Sequence, residues 1–308
     1  MSYLCAAGEP PRLGPAPSTA ADRAPAPPPA WAYLVRCEDG SLYAGWTTDL
    51  ARRLQRHRGG RGARYTRMRG AVQLAYARRC ADKSDALRQE AALKRMTKAD
   101  KEALAARWAA DHALTVRLAE DRDLPAVTEL YNWYVRHSTA TFQYTPATRA
   151  EMAASMEAAL AVGPFLVAES AAGALCGYAC AHPFHPREAY AWCAETTIYC
   201  DPDCVGQGVG RRLYTPLLEL LRRQGYRAAA ALVAHPNPGS EAFHKAMGFH
   251  SVGTQPRCGY KFGRWLDLQT WWLDLCPGLE EPAPVRRQLP RDQVEAVLAA
   301  AAAAPAAR

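Results

Sequence analysis

"TIYCDPDCVGQGVGRRLYTPLLELLRRQGY", residues 197–226, sets three closely spaced glycines between a strand-like run and a long amphipathic helix. Such glycines let backbone N–H groups approach a pyrophosphate, and the helix N-terminus adds partial positive charge. Other readings compete. A mononucleotide P-loop ends in a Lys-Ser/Thr pair, which is absent here. A dinucleotide fingerprint belongs in a first βαβ unit, whereas this turn follows several strands. On the glycines alone, a plain tight turn stays open.

Upstream of the turn, "LTVRLA" from Leu114 reads as a strand and "DRDLPAVTELYNWYVRHS" as a capped helix with apolar residues three and four apart. A second helix, "TRAEMAASMEAALA", precedes strand candidates "PFLVAES", "ALCGYACAH" and "YAWCAETTIYC". Downstream, "AAAALVA", "SEAFHKAMGF", "SVGTQ" and "TWWLDL" give a strand, a helix and two further strands. The order is mixed α/β over residues 114–278.

A smaller unit precedes it. "WAYLVRCEDGSLYAGW" holds two strand-like runs around a tight turn, and "TTDLARRLQRHR" reads as a helix capped by Thr48 or Asp49 and stopped at Gly59. A third strand, "VQLAYARRC", and two helices complete an α+β unit over residues 31–108. Residues 1–30 are rich in Pro and Ala and read as a flexible leader; residues 279–308 read as a flexible or partly helical tail. A helix from Asp292 to Ala304 would offer little to bury.

At 308 residues, two domains are the expectation. Residues 31–110 hold 18 Lys and Arg against 8 Asp and Glu, while the whole chain has a net charge of +8. That local basic field favours a polyanion partner without distinguishing DNA or a structured nucleic acid from other polyanions. No apolar run reaches membrane-spanning length, and the start lacks a secretory pattern. The ten cysteines form no CxxC pair, which disfavours zinc and fits reduced thiols in a cytoplasmic protein.

In the small unit, Tyr33 and Tyr43 lie on opposite arms of the hairpin and can face one side. Arg53 and His57 are four apart on one helix face, and Glu90 sits in a later helix where a carboxylate can face a divalent cation. These groups suit phosphodiester hydrolysis: an Arg clamps phosphoryl oxygens, and a Glu-bound cation stabilises the leaving oxygen. Each also has a plain reading, as packing tyrosines, solvated helix cations and a Glu90–Lys94 surface pair.

"YLV", "YAG", "TTDLARRLQRH" and "LRQEAALKRMTKADKEAL" together resemble the small stand-alone branch of the GIY-YIG nucleases. The resemblance implies catalytic roles for Tyr33, Tyr43, Arg53 and His57, and a metal-binding role for Glu90 toward Mg2+ or another divalent cation. Ala32 replaces the signature glycine before the first tyrosine. "GGRGARYTRMRG" would be a flexible, basic loop that contacts phosphates.

In the larger unit, the glycine turn with "HPNPGSEAFHKAMGF" resembles the acyl-CoA region of GNAT acetyltransferases. "LYNWYVRHSTATFQYTP", "REAYAWCAETTIYC" and "CGYKFGRWLDLQTWW" are similar to the branch containing phosphinothricin N-acetyltransferase. The resemblance implies acetyl-CoA as cofactor. Val205, Gly206, Gln207, Gly208, Val209, Gly210 and Arg211 would surround the pyrophosphate, with Asn237 and Ser240 beside the pantetheine arm. Glu195 would be the general base, and His244 would either protonate the leaving thiolate or pack. Phe142, Tyr190 and Tyr260 would wall a pocket for a small amino acid or related amine. Val205 replaces the Arg or Gln that commonly opens the motif, and Thr145 replaces the acidic residue that usually precedes the proline. The expectation is thus a GIY-YIG-like α+β domain fused to a mixed α/β GNAT domain, with room for a homodimer through the latter. The alternatives are a nuclease with a regulatory GNAT domain, or a nucleic-acid-binding adaptor that recruits the acetyltransferase.

Overall fold

The computed structural model describes residues 30–204, 206–278 and 280–303. The Pro/Ala-rich leader up to residue 29, Val205 of the glycine turn and the last five residues lie outside the described residues.

The N-terminal unit is a three-stranded antiparallel sheet in the order β2-β1-β3, formed by β1 (Ala30–Cys37), β2 (Leu42–Thr47) and β3 (Ala71–Cys80). Gly40 turns the β1–β2 hairpin with a positive φ of 77°. Helix α1 (Leu50–Arg58) starts where the Asp49 carboxylate accepts from Arg52 N, and it ends at Gly59. It buries Leu50, Leu54 and His57, one face at helical spacing. The stretch expected to be a loose basic loop instead contains helix α2 (Arg64–Arg69). A buried Thr66 and its bond to His57 anchor that helix. Helices α3 (Lys83–Arg95) and α4 (Lys98–Asp111) follow, the second opened by a capping box from Thr97 and Asp100.

The C-terminal unit is a seven-stranded sheet in the order β4-β5-β6-β7-β8-β10-β9. Its strands are β4 (Leu114–Leu118), β5 (Leu166–Ser170), β6 (Leu175–Pro183), β7 (Cys193–Cys200), β8 (Ala228–His235), β9 (His250–Lys261) and β10 (Arg264–Asp274). Alternation along β5 shows how the sheet divides two cores. Leu166 and Ala168 join the apolar face of α7 (Val209–Gln224), while Phe165 and Val167 pack with α5 (Leu124–His137) and α6 (Arg149–Leu160). Helix α8 (Pro238–Ala246) follows β8.

The run read as the short strand "SVGTQ" is the N-terminal half of the longer β9, which forms a hairpin with β10. Phe262 and Gly263 turn that hairpin with positive φ. β9 accommodates Pro256 because it is an edge strand. In the tail, helix α9 (Arg291–Ala303) does find something to bury. Val294 and Val297 pack into the α7 core, because these two branched side chains interrupt the alanine face.

Leu213, Leu217, Leu220 and Leu221 of α7 are fully buried. Replacing Leu217 with Ala should therefore destabilise the C-terminal unit by about 2–5 kcal/mol through lost burial and a residual cavity. Urea unfolding followed by tryptophan fluorescence checks this, and a loss below about 1 kcal/mol would contradict the packing described.

Candidate functional site

Strands β7 and β8 are parallel neighbours, yet they pair only where Cys193–Glu195 face Ala228–Ala230. Beyond that point the strands diverge. Thr196–Tyr199 on one side and Ala231–Ala234 on the other line a cavity of about 210 Å³. A gap between parallel strands leaves backbone amides without ladder partners, ready for the amides of an extended arm. Asn237, Ser240 and His244 of α8 line the same cavity, as do Tyr131 and residues 140–143 opposite.

Glu195 occupies the last paired position before the split, and its side chain lines the cavity. The residue is 5% exposed, and burial raises its carboxyl pKa above the ordinary value. That shift suits a group that must take a proton and later release it.

His244 is buried as well, and burial lowers its pKa. Its Nδ1 lies 2.8 Å from Ser240 O, which can only accept. The neutral ring therefore carries its proton on Nδ1, leaving Nε2 as an acceptor 3.3 Å from the Tyr214 hydroxyl. Thr196 Oγ1 donates to Ala230 O, so the Tyr214 hydroxyl gives its one proton to Thr196 Oγ1 at 2.6 Å and has none left for His244 Nε2. This network crosses the split between the strands.

In the glycine turn, Gly206 and Gly208 have φ of 82° and 78°. Open space surrounds the position of a Gly208 Cβ, whereas a Gly206 Cβ would meet the Leu54 and Leu74 side chains of the N-terminal unit at 2.7 and 2.8 Å. Gly208 caps α7, whose first turn has no acidic residue. Gln207 Oε1 is buried without a hydrogen-bond partner among the described residues. Gly210 lets α7 approach the Phe243 ring, which a Cβ would meet at 3.0 Å. The turn itself does not line the cavity; Asn237 and Ser240 do. The Asn237 side chain caps α8 by accepting from Ser240 N.

Of the expected acceptor walls, Phe142 lines the cavity, while Tyr190 and Tyr260 do not. Tyr190 lies in a 3-10 turn and packs on Phe184 and His185. Tyr260 is an exposed strand residue packed on Trp265. Tyr131, Thr141 and Gln143 were missed as walls. The spacing of "TATFQ" after α5 was the only available signal.

The second cluster lies on the N-terminal sheet. The register opposes Tyr33 to Gly45 and Val35 to Tyr43, which puts both tyrosines on one face, and both rings contact His57. Arg53 Nε donates to the Tyr33 hydroxyl at 2.9 Å, and His57 Nε2 lies 2.8 Å from the same oxygen. Thr66 Oγ1 donates to Ala63 O, so it accepts from His57 Nδ1 at 2.7 Å. Nε2 is then free to accept the Tyr33 proton. Burial, with Arg53 and Arg56 nearby, lowers the His57 pKa to about 4, so the ring is neutral at pH 7. Burial raises the Tyr33 pKa to about 12.

The Glu90 carboxylate is near enough to raise the Tyr33 pKa further, and it lies 3.0 Å from Lys94 Nζ. No cluster of three or more His, Cys, Asp or Glu capable of holding a metal occurs among the described residues. A single carboxylate still suits Mg2+, which keeps several waters and takes its other ligands from substrate phosphates.

The described residues thus hold a cleft where two parallel strands separate and a tyrosine–arginine–histidine cluster. Residues 116–271 match the acetyltransferase (GNAT) domain family, and residues 29–103 match the GIY-YIG catalytic domain. Phosphinothricin N-acetyltransferase of Alcaligenes faecalis is 42% identical over 157 residues, covering 50% of this chain and 79% of the relative. An L-methionine sulfoximine/L-methionine sulfone acetyltransferase of Pseudomonas paraeruginosa is 36% identical, covering 54% of this chain and 98% of the relative. Among solved structures, a GNAT superfamily phosphinothricin acetyltransferase from Sinorhizobium meliloti in complex with acetyl-CoA superposes with a TM-score of 0.53. It is 35% identical, covering 55% of this chain and 93% of that one. The chain belongs to the GNAT acetyltransferases and carries a GIY-YIG domain at its N-terminal end. It is an N-acetyltransferase.

Proposed function

We propose that residues 114–278 transfer the acetyl group of acetyl-CoA to the α-amine of a small amino acid of the phosphinothricin or methionine sulfoximine type. The observation that carries this reading is Glu195, buried where β7 and β8 separate and facing the cavity. The glycine turn before α7 would hold the pyrophosphate of acetyl-CoA through its backbone N–H groups, and Asn237 and Ser240 would hold the pantetheine arm at the split between the strands. The acceptor enters as an ammonium ion and gives a proton to Glu195. The free amine attacks the thioester carbonyl carbon, the new C–N bond forms, the C–S bond breaks, and the surplus proton on the nitrogen passes to the departing coenzyme A thiolate. Backbone N–H groups at the split polarise the carbonyl oxygen. His244, with its proton held by Ser240 O, supports the cleft beside Tyr214 and does not serve as the acid. Phe142, Thr141 and Gln143 form the acceptor wall. The exposed β9–β10 hairpin suits a homodimer contact.

A second activity is favoured by the Tyr33–His57–Arg53 cluster: divalent-cation-dependent cleavage of DNA by residues 31–108. Arg53 holds the phosphate, with Tyr43 beside it. A water attacks the phosphorus and loses its proton to solvent as the P–O bond to the leaving oxygen breaks. Tyr33, kept a neutral phenol by burial and anchored by His57, orients that water. Glu90 would hold the cation, which supplies charge stabilisation at the leaving oxygen. The surrounding arginines contact the phosphate backbone without base specificity. No helix among the described residues is long and apolar enough to cross a membrane, and a cytoplasmic location fits both activities.

The test is a screen of the purified chain with acetyl-CoA against free amino acids, phosphinothricin, methionine sulfoximine, polyamines and peptide amines, read by mass spectrometry. N-acetylation of one or more free amino acids is expected. Acetylation confined to polyamines or peptides would overturn the acceptor assignment.

A further inference from the structure

Lys261 ends the edge strand β9, a place where lysines ordinarily extend into water. Here the residue is 1% exposed. Its Nζ donates to Ser138 O at 2.8 Å and to Thr141 O at 2.7 Å, two carbonyls of the segment that follows α5. The ion pairs among the described residues do not include it. Burial lowers the ammonium pKa to about 8. The ammonium also lies 5.0 Å from the centroid of the Phe262 ring, but no carboxylate pairs it among the described residues, so a solvent-facing side chain would serve a purely structural strand end better.

The two neighbouring positions grip the same segment. A Cβ at Gly259 would lie 2.4 Å from the Phe142 ring, so the glycine lets that ring settle against β9. The Tyr144 hydroxyl donates to Tyr260 O. Three consecutive residues of β9 therefore fix residues 138–144, and residues 140–143 line the cavity that also holds Glu195.

We propose that Lys261 is a positioning residue for acceptor recognition: its ammonium ties the 138–141 backbone so that Thr141, Phe142 and Gln143 face the acceptor amine in a fixed arrangement. This inference rests on the acceptor reading above. It concerns only the acceptor half of the cleft, because the glycine turn and Asn237 lie on other elements.

The experiment uses the full chain and an amino acid that the wild type acetylates; if it acetylates none, the acceptor reading itself fails. Lys261→Met removes the charge at similar length, and Lys261→Arg restores it. For Lys261→Met, the acceptor KM should rise about 10-fold or more while kcat and the acetyl-CoA KM stay within about twofold. Lys261→Arg should recover most of the acceptor affinity. Amide hydrogen exchange should quicken at residues 138–143 with the rest of the unit unchanged. If Lys261→Met does not fold, Lys261→Leu, which also removes the donor, takes its place under the same criteria. An unchanged acceptor KM, or an equal loss of acetyl-CoA affinity, would overturn the proposal.

Discussion

Replacing Glu195 with Gln lowers kcat/KM for the amine acceptor by about 10²–10⁴-fold while leaving the acetyl-CoA KM close to the wild-type value. The amide keeps the shape of the carboxylate and cannot take the acceptor's proton. A pH profile sharpens the test. Burial raises the folded-state pKa of Glu195, so the carboxylate becomes protonated at higher pH than an ordinary glutamate. Activity should be present above that raised pKa and fall as pH drops through it, with a midpoint above 4.5, the ordinary value. The Gln variant should lack this limb. A midpoint at or below 4.5, or a variant with wild-type turnover, would remove Glu195 from the proton path.

The second large effect concerns the N-terminal unit. Glu90→Ala should reduce Mg2+-dependent cleavage of DNA by about 10³-fold or more, and Arg53→Ala by about 10²–10³-fold. Arg53→Ala also strips Tyr33 of the N–H that meets its oxygen. Neither substitution touches the cavity beside Glu195, so acetyl transfer should remain within about twofold of wild type in both. Because His57 titrates near 4, its neutral, accepting ring persists through mildly acidic pH. Cleavage should therefore show no acid limb near 6.5, the ordinary histidine value. Cleavage that survives Glu90→Ala, or a histidine limb near 6.5, would contradict the assigned roles. An absence of cleavage in the wild type would leave the unit as a binding module.

Local signals accounted for several features of both units. A cap at Thr48 or Asp49 (the structure uses Asp49), the glycines around α7 and the shared face of Arg53 and His57 follow from spacing and backbone freedom, which a sequence displays directly. Features decided by long-range packing stayed hidden. Thr66 lies within an arginine-rich stretch, yet it is buried against a histidine on another helix. Nothing local distinguishes it from a solvated threonine. Lys261 similarly looks like an edge-strand surface residue until α5 and the segment after it are folded beneath it. Tyr190 and Tyr260 lie outside the cavity that residues 140–143 line, a placement that depends on where β7 and β8 separate and that no local pattern displays. The α9 helix was readable as a helix. Its docking onto α7 depended on Val294 and Val297 meeting a core built elsewhere in the chain.

The most direct measurement is product stoichiometry: coenzyme A release and N-acetyl product counted together for the purified chain with acetyl-CoA and the free amino-acid panel. One N-acetyl amino acid per coenzyme A released, saturable in both substrates and lost in Glu195→Gln, is the predicted result. Thiol release without N-acetyl product, or no release with any amine, would contradict the account.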